Sequence, residues 1–254
     1  MTEPPFNGDL HQAVVDRLGT QIASGEIPAG AVLVADRLQV AYGVSRSVMR
    51  EAIRVLASLG MVASRRKVGL IVRPIDRWSL FAPQVIRWRL ATPSRISQFR
   101  SLTELRAAIE PEAARLAATR AHLTQAANLM TVAARLWAAG KAGDEAGFLA
   151  ADIQFHSLVL AASGNEMFAS LSSAIEEILV SRVRVGLHPS HPADAAMQHH
   201  FDVVTAIQAG HPDEAQRAMT RIVVQAMEEM SSIWEALPAA PGVGLIEGGY
   251  GGDA

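Results

Sequence analysis

The chain contains no cysteine at all, which removes disulfides, thiolate zinc sites and thiol nucleophiles together. Lysine is almost absent too, with two residues against 21 arginines, a bias that reads mainly as genomic base composition. No apolar run approaches the ~18 residues that a membrane-crossing helix needs. The opening stretch Met1–Asp9 holds acids and prolines but no basic n-region, so no secretory signal is expected. These absences lead to the expectation of a cytoplasmic protein with no membrane partner. Charged residues make up 19% and hydrophobic residues 50%, which excludes a wholly disordered chain. At 254 residues there is enough material for one large domain or two small ones with a proper core.

What is present is unevenly charged. The net charge is −2, yet residues 33–75 hold eight Arg/Lys against two Asp/Glu, while residues 76–254 hold 14 against 19. A small basic unit joined to a larger acidic one is the pattern expected when one half meets a polyanion and the other does not.

Helical spacing of Val14, Val15, Leu18 and Ile22 predicts a helix over Leu10–Ser24, stopped by Gly25 and Pro28-Ala29-Gly30. A short helix follows around Asp36–Tyr42, with Gly43 as the turn. Ser45 is placed to cap a third helix that runs to about Leu59 and ends at Gly60. Two β-like runs, Met61–Ser64 and Leu70–Arg73, flank the basic stretch Arg65-Arg66-Lys67-Val68-Gly69. Three helices and a basic hairpin read as a winged helix-turn-helix over residues 1–75.

Residues 76–94 are expected to form a connector, with Trp78, Phe81, Val85 and Trp88 on roughly one helical face. Residues 95–236 are helical in pattern throughout. Breaks at Arg120–His122, Ala139–Gly143, Ser163–Asn165, His188–Pro192 and Gly210–Pro212 divide them into about six helices, an antiparallel bundle. Residues 237–254 are glycine- and proline-rich and read as a disordered tail. The expected fold class is mainly α, a winged helix-turn-helix followed by an all-α bundle.

In the third helix, Val48, Met49, Ala52, Ile53 and Leu56 form one apolar stripe, while Arg46, Arg50 and Arg54 follow at i, i+4 and i+8 on another face. Cations near a helix N-terminus oppose the macrodipole. The opposition disappears if that end points at phosphates and guanine edges, which arginine reads bidentately. Arg65, Arg66 and Lys67, with Gly69 at the hairpin tip, suit a wing that touches backbone phosphate or minor groove. The plainer reading is a solvated Arg-rich helix. The features together, in this order, favour double-stranded DNA.

Gly43-Val44-Ser45-Arg46-Ser47-Val48-Met49-Arg50-Glu51-Ala52 resembles the "GVSRxxVREAL" signature of the GntR family of bacterial regulators. Ile22–Gly30 resembles that family's glycine-spaced approach to the second helix. The resemblance implies DNA contact from Ser45, Arg46 and Arg50, beside Ser47, Arg54, Arg66, Lys67 and the wing glycine Gly69. Where the family usually shows "LPSE", this chain reads Leu33-Val34-Ala35-Asp36, and the stretch to Ser45 is one residue shorter. The second helix is therefore expected to start differently, and Arg37 is left out of the contact set.

In the bundle, Asp152 and His156 are i, i+4 on one helical face, and His200 lies in a helix backed by Val203, Val204 and Ile207. These residue types ligate first-row divalent metals; hydrogen-bonded core histidines are the plainer alternative. Arg106 sits among Leu102, Leu105 and Ile109, so a guanidinium there needs an anion. That anion is either an effector carboxylate or Glu110 at i+4. Arg182 and Arg184 lie in an apolar stretch, and one of them is expected to face inward. Asn165 reads as a helix cap and His199 as peripheral.

The segments around Asp152–His156, Ala162–Asn165 and His200–Gly210, with Leu105-Arg106 and Ile109-Glu110-Pro111, resemble the effector domain of the FadR-type branch of GntR regulators. In that branch a metal is commonly held by one aspartate and three histidines. The resemblance carries over Asp152, His156 and His200 as ligands, and the third histidine falls at Ile222, which is no ligand. Two possibilities stay open: zinc or another divalent metal on three protein ligands, or direct hydrogen bonding of these groups to the effector. With the inward arginines read from the residues themselves, the expected effector site is Arg106, Asp152, His156, Arg182, Arg184 and His200. The Trp78…Trp88 connector and the missing histidine resemble the subgroup that answers to sugar acids such as galactonate.

The leading expectation is thus a homodimeric, sequence-specific transcriptional regulator, a repressor in sign, that binds operator DNA and a small carboxylate. A short half-site rarely gives enough specificity alone, hence the dimer. The alternative is a metal-dependent enzyme built on Asp152, His156 and His200. Against it, no residue is spaced as a general base, and the basic head would have no use.

Overall fold

The computed structural model describes residues 7–186 and 194–235. The expected break at His188–Pro192, with His188 and His191, and the expected tail 237–254 lie outside the described residues. The fold class is the expected one, mainly α with a small sheet at the wing.

The first unit is built from α1 (Asn7–Ala23), β1 (Val32–Leu33), α2 (Ala35–Tyr42), α3 (Arg46–Ser58), β2 (Val62–Arg65) and β3 (Gly69–Val72). Val14, Val15, Leu18 and Ile22 of α1 close over Val48, Met49, Ala52 and Leu56 of α3, the stripe expected from spacing. Ser45 caps α3, its Oγ accepting from the Val48 N–H at 3.3 Å. Gly43 ends α2 in the left-handed region at φ 64°.

The sheet order is β1-β3-β2, antiparallel throughout, with Val32 opposite Ile71 and Arg65 opposite Gly69. This corrects the wing in two respects. A strand β1 that the sequence pattern did not predict pairs with β3. The turn residues are Arg66–Val68, with Lys67 at φ 64°, so the tip belongs to Lys67 and Gly69 opens β3 instead. Gly69 is required for another reason: at φ 117°, a Cβ there would also lie 3.0 Å from the Leu33 carbonyl oxygen of β1.

The connector departs from the single-face expectation. A 3₁₀ turn spans Ile75–Arg77, and the only α-helix in it is α4 (Pro83–Leu90). Pro83 fixes the helix start and forces Ala82 into extended backbone. Trp78 therefore lies outside the helix, donating its indole N–H to the Arg73 carbonyl at 2.8 Å, and Phe81 is 59% exposed. Within α4 the apolar residues split. Val85 and Trp88 join the head core, whereas Ile86 and Leu90 join the bundle core.

The bundle consists of α5 (Arg95–Arg120), α6 (Leu123–Ala142), α7 (Glu145–Ala162), α8 (Glu166–Ala169), α9 (Ser172–Arg184), α10 (Asp194–Ala209) and α11 (Pro212–Glu235). The one-turn α8 was not expected. Asn165 caps it, its Oδ1 accepting from the Met167 N–H at 3.0 Å. The bundle core runs from Phe99 and Leu102 of α5 through Phe155 and Leu160 of α7 to Met219 and Ile222 of α11. Among the described residues no helix is long and apolar enough to cross a membrane.

Candidate functional site

On the head, Ser45, Arg46, Ser47, Arg50, Arg54, Arg66, Lys67 and Gly69 are all exposed. Amphipathic α3 puts its apolar stripe inward and so turns the arginines out. They are not equally available. Arg54 Nη1 lies 2.5 Å from Glu51 Oε1, and Arg46 Nε lies 3.7 Å from Asp36 of α2. Arg50 makes no ion pair among the described residues. Ser45 already caps α3 and lies 2.9 Å from the Ser47 hydroxyl.

Inside the bundle, polar groups from three helices meet. One turn of α7 separates Asp152 from His156, and α10 brings His200 beside them. Asp152 Oδ1 is 3.2 Å from His200 Nε2 and 3.4 Å from His156 Nε2, and one ligand atom from each residue falls within 4.8 Å of the others. All three are buried. The far nitrogens have polar neighbours as well. His200 Nδ1 meets the Ala196 carbonyl at 3.0 Å, and His156 Nδ1 lies 2.8 Å from Glu110 Oε2. The Phe155 ring stands edge-on to both imidazoles, with centroids 5.4 and 4.8 Å away. Both Nε2 atoms lie beside the Asp152 carboxylate, a donor set that suits a divalent cation, although His156 Nε2 also faces the Arg106 guanidinium at 3.2 Å, a contact a bound cation would displace.

Arg106 of α5 is the other component. It is 2% exposed, and its Nε and Nη2 reach Glu110 at 2.6 and 3.3 Å, with Nη2 also 3.2 Å from His156 Nε2. Of the two partners weighed from sequence, the fold supplies Glu110. Burial alone would raise the Glu110 carboxyl, but Arg106 and His156 pull it down to about 2. Burial would likewise lower the His156 ring. Glu110 and Asp152 outweigh that and the opposing Arg106, leaving it at about 9. Asp152, despite burial, is held well below the usual carboxylate range by His156 and His200.

Arg182 and Arg184 are two residues apart on α9, roughly 200° around the helix, so only one can face in. Arg182 is the buried one, with Nη2 2.5 Å from Glu229 Oε2 of α11. Arg184 is exposed at the helix end and takes no part in the cluster. His199 is half-buried near Asp202 and outside the centre, as expected. Ile222, where the family pattern places a histidine, is buried in the apolar core. Spacing named the 106/110 and 152/156 pairs; it gave no signal for Glu229.

Residues 101–225 match the FCD domain, and residues 10–72 match the bacterial regulatory proteins of the gntR family. A probable D-xylose utilization operon transcriptional repressor of Paenarthrobacter nicotinovorans is 30% identical over 83% of this chain and 84% of its own. The chain belongs to the GntR family. The galactonate operon transcriptional repressor of Escherichia coli K12 is 27% identical over 87% of this chain and 96% of its own. A putative L-lactate dehydrogenase operon regulatory protein of the same organism is 31% identical over 83% and 82%. Among solved structures, one of Lar, which controls expression of the Listeria monocytogenes agr system, has a TM-score of 0.57. It covers 88% of this chain and 97% of that one at 14% identity, and so shows the fold alone. GntR proteins of this architecture are DNA-binding transcriptional regulators with a helical effector domain. That excludes the metal-dependent enzyme considered from sequence.

Proposed function

We propose that this GntR protein is a homodimeric, sequence-specific repressor whose bundle binds a small carboxylic acid of the sugar-acid class and thereby releases operator DNA. The observation that carries the reading is the buried Asp152–His156–His200 centre beside Arg106 and Arg182, inside a bundle joined to a head with exposed arginines. An apolar bundle has no use for such a centre unless a polar ligand enters. Among the relatives, the galactonate operon repressor is named for a sugar acid and the L-lactate dehydrogenase operon regulator for a hydroxy acid, which supports a carboxylic-acid effector.

Asp152, His156 and His200 would hold a divalent metal, which supplies a fixed positive point for an acid oxygen. Around it this chain's residues position and select. Arg106, neutralised by Glu110, orients His156 rather than anchoring the acid, and Arg182 offers the guanidinium. In the head, Arg46, Arg50 and Arg54 read the groove from α3, with Ser45 and Ser47 at its start, and Arg66, Lys67 and Gly69 set the wing against phosphate.

The two ends connect through α4. Arg87 clasps Glu177 of α9, with Nη2 2.7 Å from Oε1, and Arg182 lies just over one turn further along α9. On the head side, the Trp88 indole donates to Asp16 Oδ1 of α1 at 2.8 Å. A ligand that favours one setting of α9 therefore biases the angle of the head, a shift between two populations.

The test is fluorescence anisotropy of the purified protein on its own upstream DNA against a scrambled duplex, with galactonate then titrated in. Tight binding to the first duplex alone, relieved by an acid, supports the reading. Equal, strongly salt-dependent binding to both duplexes would reduce the head to a polyanion binder.

Two variants sharpen the test. Arg50→Ala should weaken operator binding by about 1–3 kcal/mol while changing scrambled DNA little. An equal loss on both would make Arg50 a phosphate contact. Ile222→His should raise zinc affinity about tenfold or more by completing the ligand set. Unchanged metal content by elemental analysis would argue against the three-ligand centre.

A further inference from the structure

Arg182 stands apart from the other well-paired arginines in how its guanidinium edge is used. Arg87, Arg106 and Arg115 each give the same edge, Nε together with Nη2, to one glutamate, Glu177, Glu110 and Glu112 respectively. That is the two-toothed match of guanidinium to carboxylate. Arg182 gives only Nη2, to Glu229. Its Nε is buried and has no hydrogen-bond partner among the described residues. A buried donor left without an acceptor is costly and points to a missing group.

Glu229 is also differently placed from its partner. The Arg182 side chain is 10% exposed and the Glu229 side chain 32%, so the carboxylate lies on the solvent side of the guanidinium. Its other oxygen accepts from Gln225 Nε2 at 3.1 Å, one turn back on α11. With its carboxylate partner about a third exposed, this pair is better hydrated than the fully buried Arg106–Glu110 pair and opens more easily. Burial and the Arg106 guanidinium both push Arg182 away from its charged form, the field a second anion would relieve.

We infer that Glu229 is an internal placeholder: it occupies one tooth of the effector's carboxylate anchor on Arg182, and an incoming carboxylate takes Nε and Nη2 together and turns Glu229 out to water. Glu229 thereby sets both affinity and selectivity. A ligand must bring a carboxylate able to outcompete it, and a neutral sugar has nothing with which to do so. The inference rests on the buried centre being the effector site, and it names the residue that guards its anion anchor.

Thermal unfolding of the full-length protein, titrated with acetate, galactonate and neutral galactose, tests it. Glu229→Ala should bind both acids about tenfold tighter than the unaltered chain, Glu229→Gln less so, and galactose should be unaffected. Arg182→Met should remove the gain in the Glu229→Ala background. If galactonate stabilises the unaltered protein and Glu229→Ala equally, the placeholder is overturned while the effector reading stands. If neither acid stabilises Glu229→Ala, the freed Arg182 takes no carboxylate and the inference fails. If acetate binds only after Glu229 is removed and no tested acid acts on the unaltered chain, the placeholder stands and the sugar-acid assignment falls.

Discussion

Glu110→Gln should cost about 3–5 kcal/mol of stability, read as a lower denaturant midpoint with an unchanged slope. The change is almost isosteric, so the loss does not come from packing. It comes from leaving the Arg106 guanidinium at 2% exposure without a countercharge, and His156 Nδ1 beside an amide instead of a carboxylate. Replacing the whole pair, Arg106→Met with Glu110→Leu, should recover most of the loss, because two apolar chains need no compensating charge. That double variant should nevertheless bind metal less well, since His156 loses the carboxylate behind its ring. A loss below about 1 kcal/mol in Glu110→Gln would mean that the pair is not ionised in the folded protein.

The same pair gives an acid limb. Glu110 stands at about 2 in the folded chain against an ordinary 4.5. A depressed carboxylate contributes stability that is full above its unfolded value and lost as pH falls through its folded one. About 3 kcal/mol should therefore disappear between roughly pH 4.5 and pH 2. Glu110→Gln should flatten that limb, and an identical acid profile in the variant would assign the loss to other carboxylates.

Trp88→Ala should be comparably damaging, about 3–5 kcal/mol, for a different reason. The indole is 2% exposed and fills a notch that exists because residue 19 of α1 is glycine. A Cβ on Gly19 would lie 2.6 Å from three ring carbons. Removing the ring leaves a cavity between α1 and α4 and releases Asp16. Trp88→Phe keeps much of the packing but loses the hydrogen bond, and should cost about 1 kcal/mol beyond the lost ring area. The functional readout separates the two ends of the molecule. In Trp88→Ala the bundle should still bind metal and acid, because α9 and its Glu177–Arg87 clasp are untouched, while DNA release by acid should be blunted. Normal release in a folded Trp88→Ala protein would move the coupling away from α4.

Much of this molecule is legible in its periodicities. The α3 stripe, the Ser45 cap, the Asn165 cap and the i, i+4 pairs Arg106/Glu110 and Asp152/His156 are local. Each depends on residues within one or two turns, so helical geometry alone brings them together. The basic head against the acidic remainder is equally a property of the linear chain. The connector misled for a local reason as well. Trp78 and Phe81 fit a helical period with Val85 and Trp88, but Pro83 starts the helix after them and the preceding residues extend.

Other features were decided by distance along the chain. The strand β1 is two residues long and exists only because β3 arrives beside it. The pairing of Glu110 with His156, of Arg87 with Glu177 and of Arg182 with Glu229 joins residues 46, 90 and 47 positions apart. Sequence therefore determined which groups could carry charge and chemistry and which helix faces they occupied. Tertiary packing decided that Glu110 also meets His156 and that Arg182 keeps one tooth empty. The physical reason is that a charge needs its partner within a few ångströms inside a dry core. Only the crossing of α5, α7, α9, α10 and α11 sets which partner is there.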